Sequence, residues 1–184
     1  MNGILEKTLG ELEKTQTEFW NISRPTGNFL NMLIKIADCK SGIEIGTSNG
    51  YSGLWLGTAF KENGGKLTTV EYWEKRQKIA VENFKKCGVD DAIIPILGAG
   101  IDVLKQWSKP LDFAFLDANK AQYIEFFKLI DKHLKKGGII AADNITSHPD
   151  KVKPFVDEIM QDERYQTEIL DLPAGLLLAY KIKE

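Results

Sequence analysis

Short, continuously apolar runs alternate along this chain with longer stretches whose apolar positions recur every three or four residues. Leu5, Leu9, Leu12 and Phe19 fall at helical spacing and predict a charged amphipathic helix over 4–19. Arg24-Pro25-Thr26-Gly27 reads as a break, and Phe29 to Ala37 as the next helix. From there strands and helices take turns: strand 42–46, helix 51–60, strand 66–71, helix 73–87, strand 92–97 and a short helix 101–107. Strand 111–117, helix 120–135, strand 139–143 and helix 150–161 follow. Lys135-Lys136-Gly137-Gly138 reads as a basic last turn with a glycine stop. Strands separated by helices imply a parallel, doubly wound, Rossmann-like α/β sheet. The tail differs. Tyr165 to Leu170 and Leu176 to Ile182 are β-rich runs joined by a turn at Pro173-Ala174-Gly175, too short for a parallel crossover. The expected fold is therefore a mostly parallel seven-stranded sheet ending in an antiparallel C-terminal hairpin.

Composition narrows this picture without redirecting it. The 184 residues suit one domain, 1–184, with residues 1–22 as an N-terminal helix and lid segment. Hydrophobic residues at 43 % and charged residues at 27 % are an ordinary globular balance. A net charge of −2 offers no electrostatic footprint for nucleic acid or an anionic membrane. No apolar stretch approaches the ~18 residues of a membrane span, and the N-terminus has no signal-peptide pattern, so a cytoplasmic location is expected. Cys39 and Cys87 lack metal-ligand or CxxC spacing and read as reduced thiols.

Candidate chemistry gathers where strands end. Gly42-Ile43-Glu44-Ile45-Gly46 breaks into Thr47-Ser48-Asn49-Gly50 before a helix, and in an open α/β sheet ligands bind at that edge. Gly46 permits close backbone approach, and Gly50 relieves crowding where the helix starts. Glu44, flanked by Ile43 and Ile45, costs several kcal/mol to bury unless a polar or cationic group answers it. The glycines are spaced G-x-x-x-G, not G-x-G-x-x-G, which points to a nucleoside ligand without a phosphate. Glu71, ending the second strand, can accept both hydrogen bonds of a ribose diol; it can equally cap the helix that follows. Asp117 and Asp143-Asn144 close two further strands. If those strands are neighbours, three hard oxygen donors converge and suit Mg²⁺ with open positions. Taken singly, Asp117 caps the helix from Lys120, and Asp143-Asn144 is a polar turn. Lys120 reaches the same pocket and can act as base.

These motifs in order — Glu44-Ile45-Gly46-Thr47-Ser48-Asn49-Gly50-Tyr51-Ser52, Thr69-Val70-Glu71, Gly98-Ala99-Gly100, Asp117-Ala118-Asn119-Lys120 and Ala142-Asp143-Asn144 — resemble those of cation-dependent O-methyltransferases, the catechol and caffeoyl-CoA family with its bacterial relatives. The resemblance covers roughly residues 20 to 182. It implies S-adenosylmethionine as cofactor, with Glu44, Gly46, Thr47, Ser48, Tyr51 and Ser52 around its methionine part. Glu71 would bind the ribose, with Tyr72, Gly98, Ala99 and Gly100 around the adenine, while Ile22 and Asp117 complete the cofactor set. Asp117, Asp143 and Asn144 would hold Mg²⁺ or another divalent cation such as Mn²⁺ or Ca²⁺, and Lys120 would be the catalytic base. Trp20 to Thr26 matches the stretch that closes over the methyl donor. The expected acceptor is a small phenol, best a vicinal diol, since adjacent oxygens chelate a cation.

Three departures qualify the resemblance. Ala99 stands where bacterial members often carry Asp, so adenine recognition leans on backbone. Gly175-Leu176-Leu177-Leu178 lacks the acid that catechol enzymes place against the acceptor. The chain before Trp20 is short, so the loop Ile145-Thr146-Ser147-His148-Pro149 is expected to wall the acceptor; His148 could touch the acceptor or help deprotonate it there, but a loop histidine is more often solvated. The stripe on the N-terminal helix predicts a homodimer, in which a second copy buries it. Metal-independent methyl transfer, a nicotinamide oxidoreductase and a non-catalytic cofactor-binding protein are the rival readings. The missing G-x-G-x-x-G and Tyr-x-x-x-Lys argue against the oxidoreductase.

Overall fold

The computed structural model describes residues 3–184. Seven strands form one sheet in the order β3-β2-β1-β4-β5-β7-β6. They are β1 (Ser41–Ile45), β2 (Lys66–Glu71), β3 (Ile93–Leu97), β4 (Leu111–Leu116), β5 (Leu134–Ala142), β6 (Tyr165–Leu170) and β7 (Leu176–Lys181). The strands from β1 to β5 pair in parallel, and β7 runs antiparallel between β5 and β6. This is the expected sheet, with its reversed hairpin. Chain order reverses direction between β1 and β4, and there the carboxyl ends of neighbouring strands open a crevice.

Helices cover both faces. One apolar layer joins α1 (Gly3–Glu13), α3 (Arg24–Ile36), α4 (Tyr51–Glu62) and α5 (Glu74–Cys87) to the sheet. The other is built from α6 (Gly100–Lys105), α7 (Tyr123–Asp131) and α8 (Pro149–Gln161). Burial on both sides explains why the central strands read as unbroken apolar runs. Among the described residues, no helix is long and apolar enough to cross a membrane.

Three predicted elements are redrawn. The helix over 4–19 ends at Glu13 and is followed by the single turn α2 (Gln16–Phe19). Thr15 Oγ1 and Asn21 Nδ2 both donate to the Leu12 carbonyl, taking the acceptor that a continuing helix needs. Leu5 and Leu9 are buried in this chain's own core, so the stripe gives no ground for a homodimer. Arg24-Pro25-Thr26-Gly27 is the first turn of α3: Ser23 caps it by accepting from the Thr26 amide, and proline is tolerated where no intrahelical amide is needed. Lys135-Lys136-Gly137-Gly138 belongs to β5, because α7 stops at Asp131 and Leu134 already pairs with Leu111 across a register shift.

Candidate active site

Glu44 lies in the middle of the site and is fully buried. The β1–β2 register sets Glu44 beside Thr69, whose hydroxyl donates to Glu44 Oε2 at 2.5 Å. Thr69 has one proton and spends it there, so Thr47 is the donor in the 2.5 Å contact between the two threonine hydroxyls. Ser52 also bonds the carboxyl, while Glu44 Oε1 has no partner. Burial raises the Glu44 carboxyl to about 7, with Ser52 and Thr69 opposing the rise and Asp117 and Glu71 adding to it. A buried acid with one unanswered oxygen suits a cationic or N–H donor arriving from outside. Glu71, at the neighbouring strand end, accepts the Ser48 amide on Oε2 at 2.7 Å and the Trp73 amide on Oε1 at 2.8 Å. It therefore both ties the loop and enters α5, and each carboxylate oxygen keeps a lone pair for a ligand.

Asp117 and Asp143 follow β4 and β5, which are adjacent, with Leu116 paired to Ala142. The neighbour relation required for converging oxygens is met. The Asp117 amide donates to Ile45 O and the Asp143 amide to Leu116 O, both at 3.0 Å, which stitches the three strand exits together. Lys120 Nζ donates to Asp117 Oδ1 at 3.0 Å, and both side chains are largely buried. Burial raises the carboxyls of both acids. Asp143 reaches about 7, with the Asp117 charge as the second cause; Lys120 and His148 pull Asp117 the other way. Asp143 Oδ1 is buried without a partner. Two facing acids and an orphaned oxygen fit a small divalent cation, and the Asn144 amide is a compatible third donor. Among the described residues no three His, Cys, Asp or Glu side chains form a cage, so the amide is needed to complete the set.

Comparison with known proteins then settles the kinship: the sequence model of the O-methyltransferase family matches residues 2–182. The chain belongs to the O-methyltransferase family. A catechol O-methyltransferase of Niastella koreensis is 33 % identical over 129 residues, 68 % of this chain and 58 % of its own length. A caffeoyl-CoA O-methyltransferase of Medicago sativa is 31 % identical over 181 residues, 93 % of this chain and 73 % of its own. The chain spans 51 % to 62 % of the length of three of the curated relatives it matches, the Niastella koreensis enzyme among them. An O-methyltransferase from Bacillus cereus, solved in complex with SAH, superposes with a TM-score of 0.86 at 26 % identity, covering 98 % of this chain and 91 % of that one. The fold is accordingly the Rossmann-like methyltransferase fold.

The other predicted residues of this O-methyltransferase family member are less uniform in what they do. Gly46 has a φ of 109°, and a Cβ there would strike the Asp117 carbonyl, so this glycine holds the cofactor loop against the β4 exit. Gly100 faces Ile45 and Phe126, where an added Cβ would be 2.7 Å from Ile45 Cγ2; its need is packing. Tyr51 is buried with its hydroxyl donating to Glu13 Oε1 at 2.8 Å, an oxygen also bonded by Arg24 Nε, so it points to α1 and not to the loop's ligand side. Ile22 is in the core layer beneath the segment before α3. Tyr72 is exposed, edge-on to Trp73. Gly98 donates its amide to Glu71 O, and with Ala99 it lines a cavity of about 400 Å³ walled by Leu97, Val103 and Trp107. Ser48 Oγ donates to Phe19 O at 2.9 Å, which ties the segment before α3 to the loop after β1, and Arg76 lies 4.8 Å over the Trp20 ring, which ties the same segment to α5. Sequence reasoning missed Thr69, Arg76 and Tyr123. Thr69 carried a signal, a hydroxyl in the middle of a buried strand; Tyr123, whose hydroxyl donates to Leu116 O, carried none beyond helical spacing.

Proposed function

We propose that this protein transfers a methyl group from S-adenosylmethionine to a hydroxyl of a small phenolic acceptor with adjacent oxygens, assisted by a divalent cation on Asp117, Asp143 and Asn144. The observation that carries the reading is the orphaned, buried Asp143 Oδ1 facing the charge of Asp117 at adjoining strand ends. When bound, the sulfonium supplies an electrophilic methyl group and Mg²⁺ supplies Lewis-acid polarisation of the acceptor oxygens. Glu44 offers Oε1 to the donor's ammonium, with Thr69 and Ser52 steadying the carboxyl. Glu71 offers its remaining lone pairs to the ribose hydroxyls, already oriented by the Ser48 and Trp73 amides. Lys120, whose Nζ donates to Asp117 Oδ1, would be the base: its neutral amine, formed once the ammonium has released a proton to solvent, would take the acceptor's hydroxyl proton. Support from kinship is that relatives are named for catechol and caffeoyl-CoA methylation and that a structural neighbour was solved with SAH.

One contact favours a second reading, metal-independent transfer: Lys120 already answers Asp117 in the structure. Chelation separates the two. With a panel of vicinal-diol aromatics, EDTA is expected to abolish methylation while leaving S-adenosylmethionine binding intact, Mg²⁺ to restore it, and Asp143→Ala to behave like permanent chelation. Full turnover in EDTA overturns the cation-assisted reading.

A further inference from the structure

Asn144 is the weakest of the proposed cation ligands, because a neutral amide offers its oxygen only if the whole group is turned the right way. Its backbone is left-handed, with φ at 66°, a region asparagine tolerates better than most residues. This turn lets the Asn144 backbone amide bond back to the Asp143 carboxyl. The side chain is held separately: Nδ2 donates to Ser147 Oγ at 3.2 Å. Ser147 Oγ in turn lies 3.0 Å from His148 Nδ1. The serine oxygen accepts from Asn144 and shares a second hydrogen bond with His148 Nδ1, whose direction follows the ring tautomer. The relay Asn144 to Ser147 to His148 thus gives the amide nitrogen a fixed acceptor and leaves Asn144 Oδ1 as the free end.

Ser147 is itself anchored. The Thr146 and Ser147 amides donate to Ala174 O at 3.0 and 3.3 Å, the Ile145 amide donates to Gly175 O at 3.1 Å, and the His148 amide closes back on Asn144 O. Gly175 has a φ of 74°, and an added Cβ would be 2.6 Å from Thr146 Cγ2, so the β6–β7 turn presses directly on this loop. The backbone that carries the Ser147 hydroxyl is therefore held in place.

We infer that Ser147 is a positioning residue for the cation site: its hydroxyl fixes which end of the Asn144 amide faces Asp117 and Asp143. The inference rests on the cation-assisted reading above. Groups that orient a ligand from behind typically change metal affinity by about 10- to 100-fold when removed. The test is an EPR titration of Mn²⁺ into the purified full-length chain, run beside calorimetry with S-adenosylhomocysteine. Ser147→Ala is expected to weaken Mn²⁺ binding about tenfold or more, with S-adenosylhomocysteine affinity and melting temperature unchanged. Ser147→Thr, which keeps the hydroxyl, is expected to bind Mn²⁺ like the parent. Mn²⁺ affinity in Ser147→Ala within twofold of the parent overturns the inference and leaves the cation site standing. A Thr variant that is folded yet as weak as the Ala variant also overturns it, since shape rather than the hydroxyl is then at issue. A parent protein that binds no Mn²⁺, with Asp143→Ala indistinguishable from it, overturns both this inference and the reading beneath it.

Discussion

Glu44 is neutral more readily in the folded chain than in the unfolded one, and this has a definite sign. Its carboxyl rises from the ordinary 4.5 to about 7, chiefly through burial. Between those values the folded state holds a proton that the unfolded state has released, so stability falls as pH rises through the window and the full penalty is present above it. Glu44→Gln cannot ionise and escapes that loss. Without ligand, its stability relative to the parent is expected to be near even at pH 5 and greater at pH 8, by up to about 3 kcal/mol. Urea denaturation at the two pH values measures the difference; an identical gap at both would mean Glu44 titrates as an exposed acid. Glu71 behaves differently. Its oxygens are already bonded by the Ser48 and Trp73 amides, so Glu71→Ala loosens the loop and, on the function proposed above, also removes the two acceptors offered to the ribose. Calorimetry is expected to show at least a tenfold loss in S-adenosylmethionine affinity, since a hydrogen bond to a charged group contributes roughly 1.5–3 kcal/mol.

At the scale of elements, α1 and the exit of β1 are where packing matters most. Leu9 has no exposed surface and Leu5 only 4 %, both within the layer that α4 and α5 share. Leu9→Ala is expected to cost about 2–5 kcal/mol, as truncations of fully buried leucines do, readable as a lower denaturation midpoint. Were α1 a free arm, the same substitution would leave the midpoint unchanged. At the β1 exit, Gly46→Ala combines a left-handed φ with a collision against the Asp117 backbone. A loss of at least about 2 kcal/mol is expected, together with weaker cation binding, because Asp117 is the group that must move. Unaltered melting temperature and Mn²⁺ affinity in that variant would show that the two strand exits are not coupled.

For the whole molecule, the site exists because one sheet brings four chain-distant acids to one edge. The periodicity of the chain was enough to place all seven strands in order, though not the start of β5, and the continuous apolar character of the central ones announced burial on both faces. The acids were also legible, since Glu44, Glu71, Asp117 and Asp143 each interrupt or end an apolar run, where a charge needs a reason. Local pattern could not supply partners. That Thr69 answers Glu44 follows from strand register; that Tyr51 turns to Glu13 follows from where α1 folds back. The short range of sequence signals also misjudged the Lys135-Lys136-Gly137-Gly138 stretch, whose strand backbone is decided by pairing with β4 and not by its own propensity. The sequence by itself determined which segments are strands and which residues bear the chemistry, because apolar spacing and charge are properties of the chain. Only the tertiary structure decided which donors meet which acids, because a hydrogen bond or an ion pair depends on distances set by residues far apart in the chain.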